Sequence, residues 1–97
     1  MREAKVQRDT SETKIKIDLN IDGSGTNNID TGIGFLNHML ASFAVHGLFD
    51  LRIDVKGDLE IDTHHTVEDT ALVLGQAFDK ALSDRKGIVR MGSSFVP

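Results

Sequence analysis

The sequence has no cysteine, no tryptophan and no tyrosine. Without cysteine there is neither a disulfide framework nor a thiolate metal site, which suits a reducing, cytoplasmic setting. Without tryptophan or tyrosine, aromatic stacking on bases or sugars is poorly provided for. A basic surplus is missing too. Eleven Lys and Arg stand against fifteen Asp and Glu, a net charge of -4 with histidine neutral, so the basic face that a nucleic-acid binder needs is not supplied. No apolar run approaches the roughly 20 residues of a membrane span, and nothing resembles a signal peptide. Residues 1–97, 39 % hydrophobic, are expected to form one soluble, acidic domain with a single modest core.

What is present first is alternation. Residues 3–10 form a weakly patterned first strand. Ile15, Ile17, Leu19 and Ile21 then alternate with Lys14, Lys16, Asp18, Asn20 and Asp22, the period of two that marks a half-buried strand. Gly23-Ser24-Gly25-Thr26-Asn27-Asn28 has loop chemistry. From Gly34 the period changes, and Leu36, Met39, Leu40 and Phe43 make a helical stripe that should end near His46-Gly47. Phe49, Leu51, Ile53 and Val55 alternate again. Lys56-Gly57-Asp58 reads as a hairpin turn into a short strand at 59–62. A second helix is expected over about 65–83, with Thr66 and Asp69 as a capping box.

The predicted order is therefore β-β-α-β-β-α. It describes a two-layer α+β domain, a four-stranded sheet with both helices on one face. Such a domain leaves apolar surface uncovered, so a partner against it is expected.

The chemistry concentrates in His64-His65-Thr66-Val67-Glu68-Asp69. Imidazole and carboxylate are the nitrogen and oxygen ligands of zinc, manganese and iron. On a helix Glu68 shares a face with His64 (i, i+4) and with His65 (i, i+3), whereas the two imidazoles point about 100° apart. One turn thus offers a His/Glu pair to one ion and leaves the other His for a second ion or a neighbouring chain. The order differs from HExxH, which argues against a zincin protease.

The remaining candidates are weaker when read from the residues alone. His38, flanked by Asn37 and Met39, reads first as a partly buried histidine. If both helices start at one end of the sheet, it approaches the 64–68 cluster, with Asn37 available to orient an imidazole. Glu12 reads as a solvated turn acid. Lys86, Arg90, Ser93 and Ser94, among Gly87 and Gly92, form either a solvated basic tail or an anion-binding one. His46 reads as a cation at a helix end.

Six segments together, Arg8–Thr13 (RDTSET), Gly32–Leu40 (GIGFLNHML), His46–Asp50 (HGLFD), Gly57-Asp58, His64–Asp69 (HHTVED) and Arg85–Gly92 (RKGIVRMG), strongly resemble the imidazoleglycerol-phosphate dehydratases. These enzymes remove water from imidazole glycerol phosphate in histidine biosynthesis. The likeness runs the full length of the chain but is to the first half of a duplicated family pattern, which implies an N-terminal fragment or an isolated half. In this family, Asp is common at the position held here by Asn37.

The resemblance implies two manganese ions, held by histidines and glutamates shared between halves and between subunits of a homo-oligomer. Here His38, His64, His65 and Glu68 match the ligand positions. Glu12 matches an acid implicated in proton transfer, and Arg90 a phosphate-binding arginine. The proton to be lost sits on a carbon beside the imidazole ring and is not acidic. Lewis-acid stabilisation at the ring, with Glu12 as acid/base and a held phosphate, accounts for its removal. The expected function is thus metal-dependent dehydration by self-associating chains. The alternative is a non-catalytic metal-binding assembly module.

Overall fold

The computed structural model describes residues 1–95. Its core follows directly from the two clear alternating segments, β2 (Thr13–Asn20) and β4 (Asp50–Gly57). They pair antiparallel with Ile15 opposite Val55, Ile17 opposite Ile53 and Leu19 opposite Leu51. All six side chains are buried, each contributing on the order of 1.5–3 kcal/mol from the apolar surface it removes from water. β1 (Glu3–Asp9) flanks β2 antiparallel, and β3 (Asn27–Asp30) flanks β4 parallel, giving the order β1-β2-β4-β3.

Two helices cover the apolar face. Parallel neighbours need a crossover, and α1 (Gly34–Gly47) supplies it between β3 and β4. The longer α2 (His64–Leu82) lies across β1 and β2 with Val73, Ala77 and Ala81 inward. Phe43 of α1, Phe49 before β4 and Phe78 of α2 close the layer, with ring centroids 5.0 to 5.8 Å apart. The two-layer α+β class with both helices on one face is observed.

The element order, however, is β-β-β-α-β-α. The short strand expected at 59–62 is a turn, closed by the Ile61 N–H donating to the Asp58 carbonyl at 2.9 Å, with Ile61 exposed. The fourth strand is Asn27–Asp30, whose first two residues fall in the segment read as loop. Its composition favours turns, yet Ile29 sits opposite Ile53 and packs against the core. Partnering by a buried strand overrides a weak local preference. The opposite face of the sheet is charged: Lys16 faces Asp54 and Asp18 faces Arg52. Uncovered apolar side chains lie instead on the helix layer, including Phe35, Met39, Val45, Val67 and Leu72.

α1 ends at Gly47, as expected, whereas the start of α2 differs from expectation. α1 ends through Leu48, which adopts the left-handed conformation (φ 58°) and donates its N–H toward the Ala44 and Val45 carbonyls. Gly47 is needed for space: a Cβ there would sit 2.4 Å from the Phe49 ring. At the start of α2 there is no capping box. The His64 N–H donates to Asp62 Oδ1 at 2.8 Å, while Asp69 turns toward β2. Thr66 is fully buried and packs on Gly57, where a Cβ would lie 2.0 Å from Thr66 Oγ1.

Gly57 therefore admits the first turn of α2 to the end of β4. Gly57→Ala is expected to destabilise the fold by about 1–3 kcal/mol, the usual cost of overpacking, with Thr66→Ala recovering part of that loss. Urea unfolding of the two single variants and the double variant measures this. Strict additivity would show that the two residues are not in contact.

Candidate metal and acid–base site

The first turn of α2 carries two differently held imidazoles. His64 is exposed, and its Nε2 lies 2.8 Å from Glu68 Oε2, one turn along. His65 is half-buried, and its Nδ1 lies 2.7 Å from Oδ2 of Asp58 in the β4–α2 turn. The ring centroids are 5.6 Å apart and the planes are inclined by 66°. His64 and Glu68 border one open cleft with Asp62, Thr63 and Val67. Asp58 borders another, together with the Thr10–Lys14 turn and Lys56. The divergence read from helical geometry is thus present.

The second cleft contains Glu12. This residue lies in the β1–β2 turn, whose Thr13 pairs with Gly57 at the end of β4. The Glu12 N–H donates to Thr10 Oγ1 at 3.2 Å, and Ser11 Oγ donates to Glu12 Oε2 at 2.9 Å. The hydrogen bond that His65 donates to Asp58, with smaller electrostatic contributions from Asp58, Glu12 and Asp62, raises the pKa of His65 above its ordinary value. Glu12, from a distant part of the sequence, adds only a minor share to that upward shift.

Asp69 binds that assembly together. Thr13 Oγ1 donates to Asp69 Oδ2 at 2.7 Å, and Arg8 Nη1 stands 3.2 Å from Oδ1. The Thr13 hydrogen bond, then Arg8, holds the Asp69 carboxyl below the usual carboxylate range. The local spacing predicts Asp69 as part of a helix cap and gives no sign of Asp58 as a group that orients His65. Thr13 and Asp69 lie 56 residues apart, so no local spacing could have signalled their contact.

Both helices begin at the C-terminal ends of the parallel strands β3 and β4, hence at the same end of the sheet. His38, on the first turns of α1, is exposed and stacks loosely near Phe35, at 6.3 Å between centroids. It makes no hydrogen bond or ion pair with the 64–68 cluster among the described residues. Asn37 does not orient an imidazole. Its Oδ1 accepts from Thr31 N–H at 2.8 Å and from Thr31 Oγ1 at 2.6 Å, fixing the β3–α1 turn. Arg90 is exposed in the irregular segment after α2, outside the residues bordering either cleft.

Among the described residues, no three His, Asp or Glu side chains converge on one point suited to a metal. The donor chemistry nevertheless fits a divalent ion. A nitrogen and an oxygen donor stand side by side in His64 and Glu68, and His65 has its second nitrogen held by a carboxylate, the usual support for a ligating imidazole. One chain thus supplies two adjacent donors on one side of the turn and one on the other.

Replacing Thr13 by Val removes the main group that lowers the Asp69 pKa. A depressed carboxylate stabilises the fold above its unfolded pKa of about 3.9, and that contribution is lost as pH falls through the lower folded value. The expected result is a higher Asp69 pKa by carboxyl NMR titration and a shallower loss of stability on acidification. An unchanged Asp69 pKa in Thr13→Val would contradict this assignment.

A family model of imidazoleglycerol-phosphate dehydratase matches residues 31–97, which include α1, β4 and α2. The imidazoleglycerol-phosphate dehydratase of Acetivibrio thermocellus is 62 % identical over 96 residues, covering 99 % of this chain and 49 % of its own length. That of Caldanaerobacter subterraneus is 60 % identical over 97 residues, covering 100 % and 50 %. The crystal structure of imidazoleglycerol-phosphate dehydratase from Staphylococcus aureus matches with a TM-score of 0.80 and 35 % identity, over 98 % of this chain and 50 % of that one. The chain spans about half the length of these relatives. By the family-model match, its identity to the relatives and the shared fold, the chain belongs to the imidazoleglycerol-phosphate dehydratase family.

Proposed function

We propose that this chain provides metal and acid–base groups for the dehydration of imidazole glycerol phosphate, in centres completed by association with further copies. The observation that carries the proposal is the opposed presentation of His64/Glu68 and His65 on one helical turn, beside Glu12. His38, His64, His65 and Glu68 are the proposed ligands, to manganese by family resemblance. When bound, the ion supplies Lewis-acid stabilisation of charge developing on the substrate imidazole.

The chain's own residues account for the rest. Glu12 is exposed at the mouth of its cleft, where its carboxylate can take the carbon-bound proton and deliver a proton to the departing hydroxyl. The Ser11 hydroxyl and the Thr10 side chain hold that turn in place. His65 is held by Asp58, which borders the same cleft. Arg90 is proposed to hold the phosphate and so orient the reacting end.

A second reading is a metal-binding assembly module without turnover. It is favoured by the placement of Arg90 away from both clefts and by the half-length match to the relatives. Steady-state assays of the purified chain with added Mn²⁺ separate the two. The proposal expects measurable turnover, reduced by about 100-fold or more in Glu12→Gln, in line with the loss of a general acid/base. Metal binding with no turnover would establish the second reading, and turnover unaffected by Glu12→Gln would remove Glu12 from the chemistry.

A further inference from the structure

Two adjacent histidines on one turn have ring nitrogens engaged in opposite ways. In His65 it is Nδ1 that meets a carboxylate, Oδ2 of Asp58, at 2.7 Å. In His64 it is Nε2, against Oε2 of Glu68 at 2.8 Å. An ionised carboxylate only accepts hydrogen bonds, so the nitrogen hydrogen-bonded to it must carry the proton; in a neutral imidazole the other nitrogen is then the bare acceptor. The His65–Asp58 contact has hydrogen-bond geometry, so His65 presents a bare Nε2; the His64–Glu68 approach is a charge-pair distance and fixes no tautomer for His64.

The two carboxylates differ in how firmly they are held. Glu68 is more than half exposed on the helix surface, at 55 %, so its pairing with His64 is easily exchanged for water. Asp58 retains only 14 % exposure. It sits in a turn fixed from both sides: its carbonyl accepts the Ile61 N–H, and the preceding Gly57 is packed against Thr66 of α2. Its other oxygen, Oδ1, is buried and has no hydrogen-bond partner among the described residues. A carboxylate left half-satisfied costs free energy, and among the described residues its side-chain partner is His65.

We infer that Asp58 is a positioning residue that locks His65 into the tautomer with a bare Nε2 and aims that nitrogen away from the sheet, ready to act as a ligand or acceptor. His64 has no such lock: the carboxylate nearest its Nε2 is the exposed Glu68, which approaches it without a hydrogen bond among the described residues. The two histidines of the pair therefore have unequal roles. His65 is preset by the fold, and His64 adapts. The functional consequence for ligation rests on the metal-site reading above, whereas the tautomer assignment does not.

Long-range ¹H–¹⁵N spectra of the metal-free, full chain at alkaline pH, where imidazoles are neutral, read the tautomers directly. The expected result is His65 protonated at Nδ1, with no such fixed preference at His64. In Asp58→Ala, His65 is expected to shift to a mixture dominated by the Nε2-protonated form, with the backbone amide spectrum reporting that the fold persists. Mn²⁺ titration of the same proteins is expected to show affinity falling about 10–100-fold in Asp58→Ala, the usual effect of removing a carboxylate behind a ligating histidine. A wild-type His65 protonated at Nε2 would overturn the inference without recourse to any variant, and so would an unchanged His65 tautomer in a folded Asp58→Ala. Absence of Mn²⁺ binding by the wild-type chain would instead overturn the metal-site reading while leaving the tautomer result in place.

Discussion

The seating of the first turn of α2 on the end of β4 governs the geometry of the His64–Asp69 turn. The contact is a steric one, a buried threonine on a glycine that has no room for a Cβ. Close packing leaves such a junction little freedom, so it fixes both the height and the rotation of the helix. Asp69 adds a polar tie from the same helix to Thr13 and Arg8 on the first hairpin. The rotation so fixed sends His65 down toward Asp58 and leaves His64 and Glu68 facing outward.

That rotation explains why adjacent histidines are not redundant. A helix cannot point consecutive side chains in the same direction, so a His-His pair on one turn divides its donors between two places. Here the inner place is acidic, with Asp58 and Glu12 near His65, and this raises its proton affinity. The outer place has one imidazole and one carboxylate side by side at the surface. Neither collects three donors from one chain among the described residues. The uncovered apolar side chains of the helix layer, Phe35, Met39 and Leu72 among them, are consistent with a fold whose helices meet further protein.

Much of this was legible in the sequence because it depends on short-range periodicity. The alternation in 14–22 and 49–55 identified the two central strands, and the helical stripes identified both helices to within a residue or two at most ends. The same spacing argument gave the divergence of His64 and His65. What escaped was decided by contacts distant in sequence. β3 carries a single apolar residue, Ile29, among Asn and Asp, and becomes a strand because β4 offers it a partner. Leu59 and Ile61 alternate like a strand but pair with no strand among the described residues and form a turn. Asn37 looked like a ligand-orienting group and instead secures Thr31, and the roles of Asp58 and Asp69 required tertiary structure to see. Glu12, read from the residues alone as a solvated turn acid, acquires its interest from the hairpin register that brings it beside the end of β4.

The central claim is that one chain supplies parts of metal centres that further copies complete. Light scattering after size exclusion, combined with elemental analysis before and after chelation, tests it most directly. The account predicts an assembly larger than the single chain, holding about one divalent ion per chain and dissociating when the metal is removed. A metal-free monomer, or an assembly whose mass is indifferent to chelation, would contradict it.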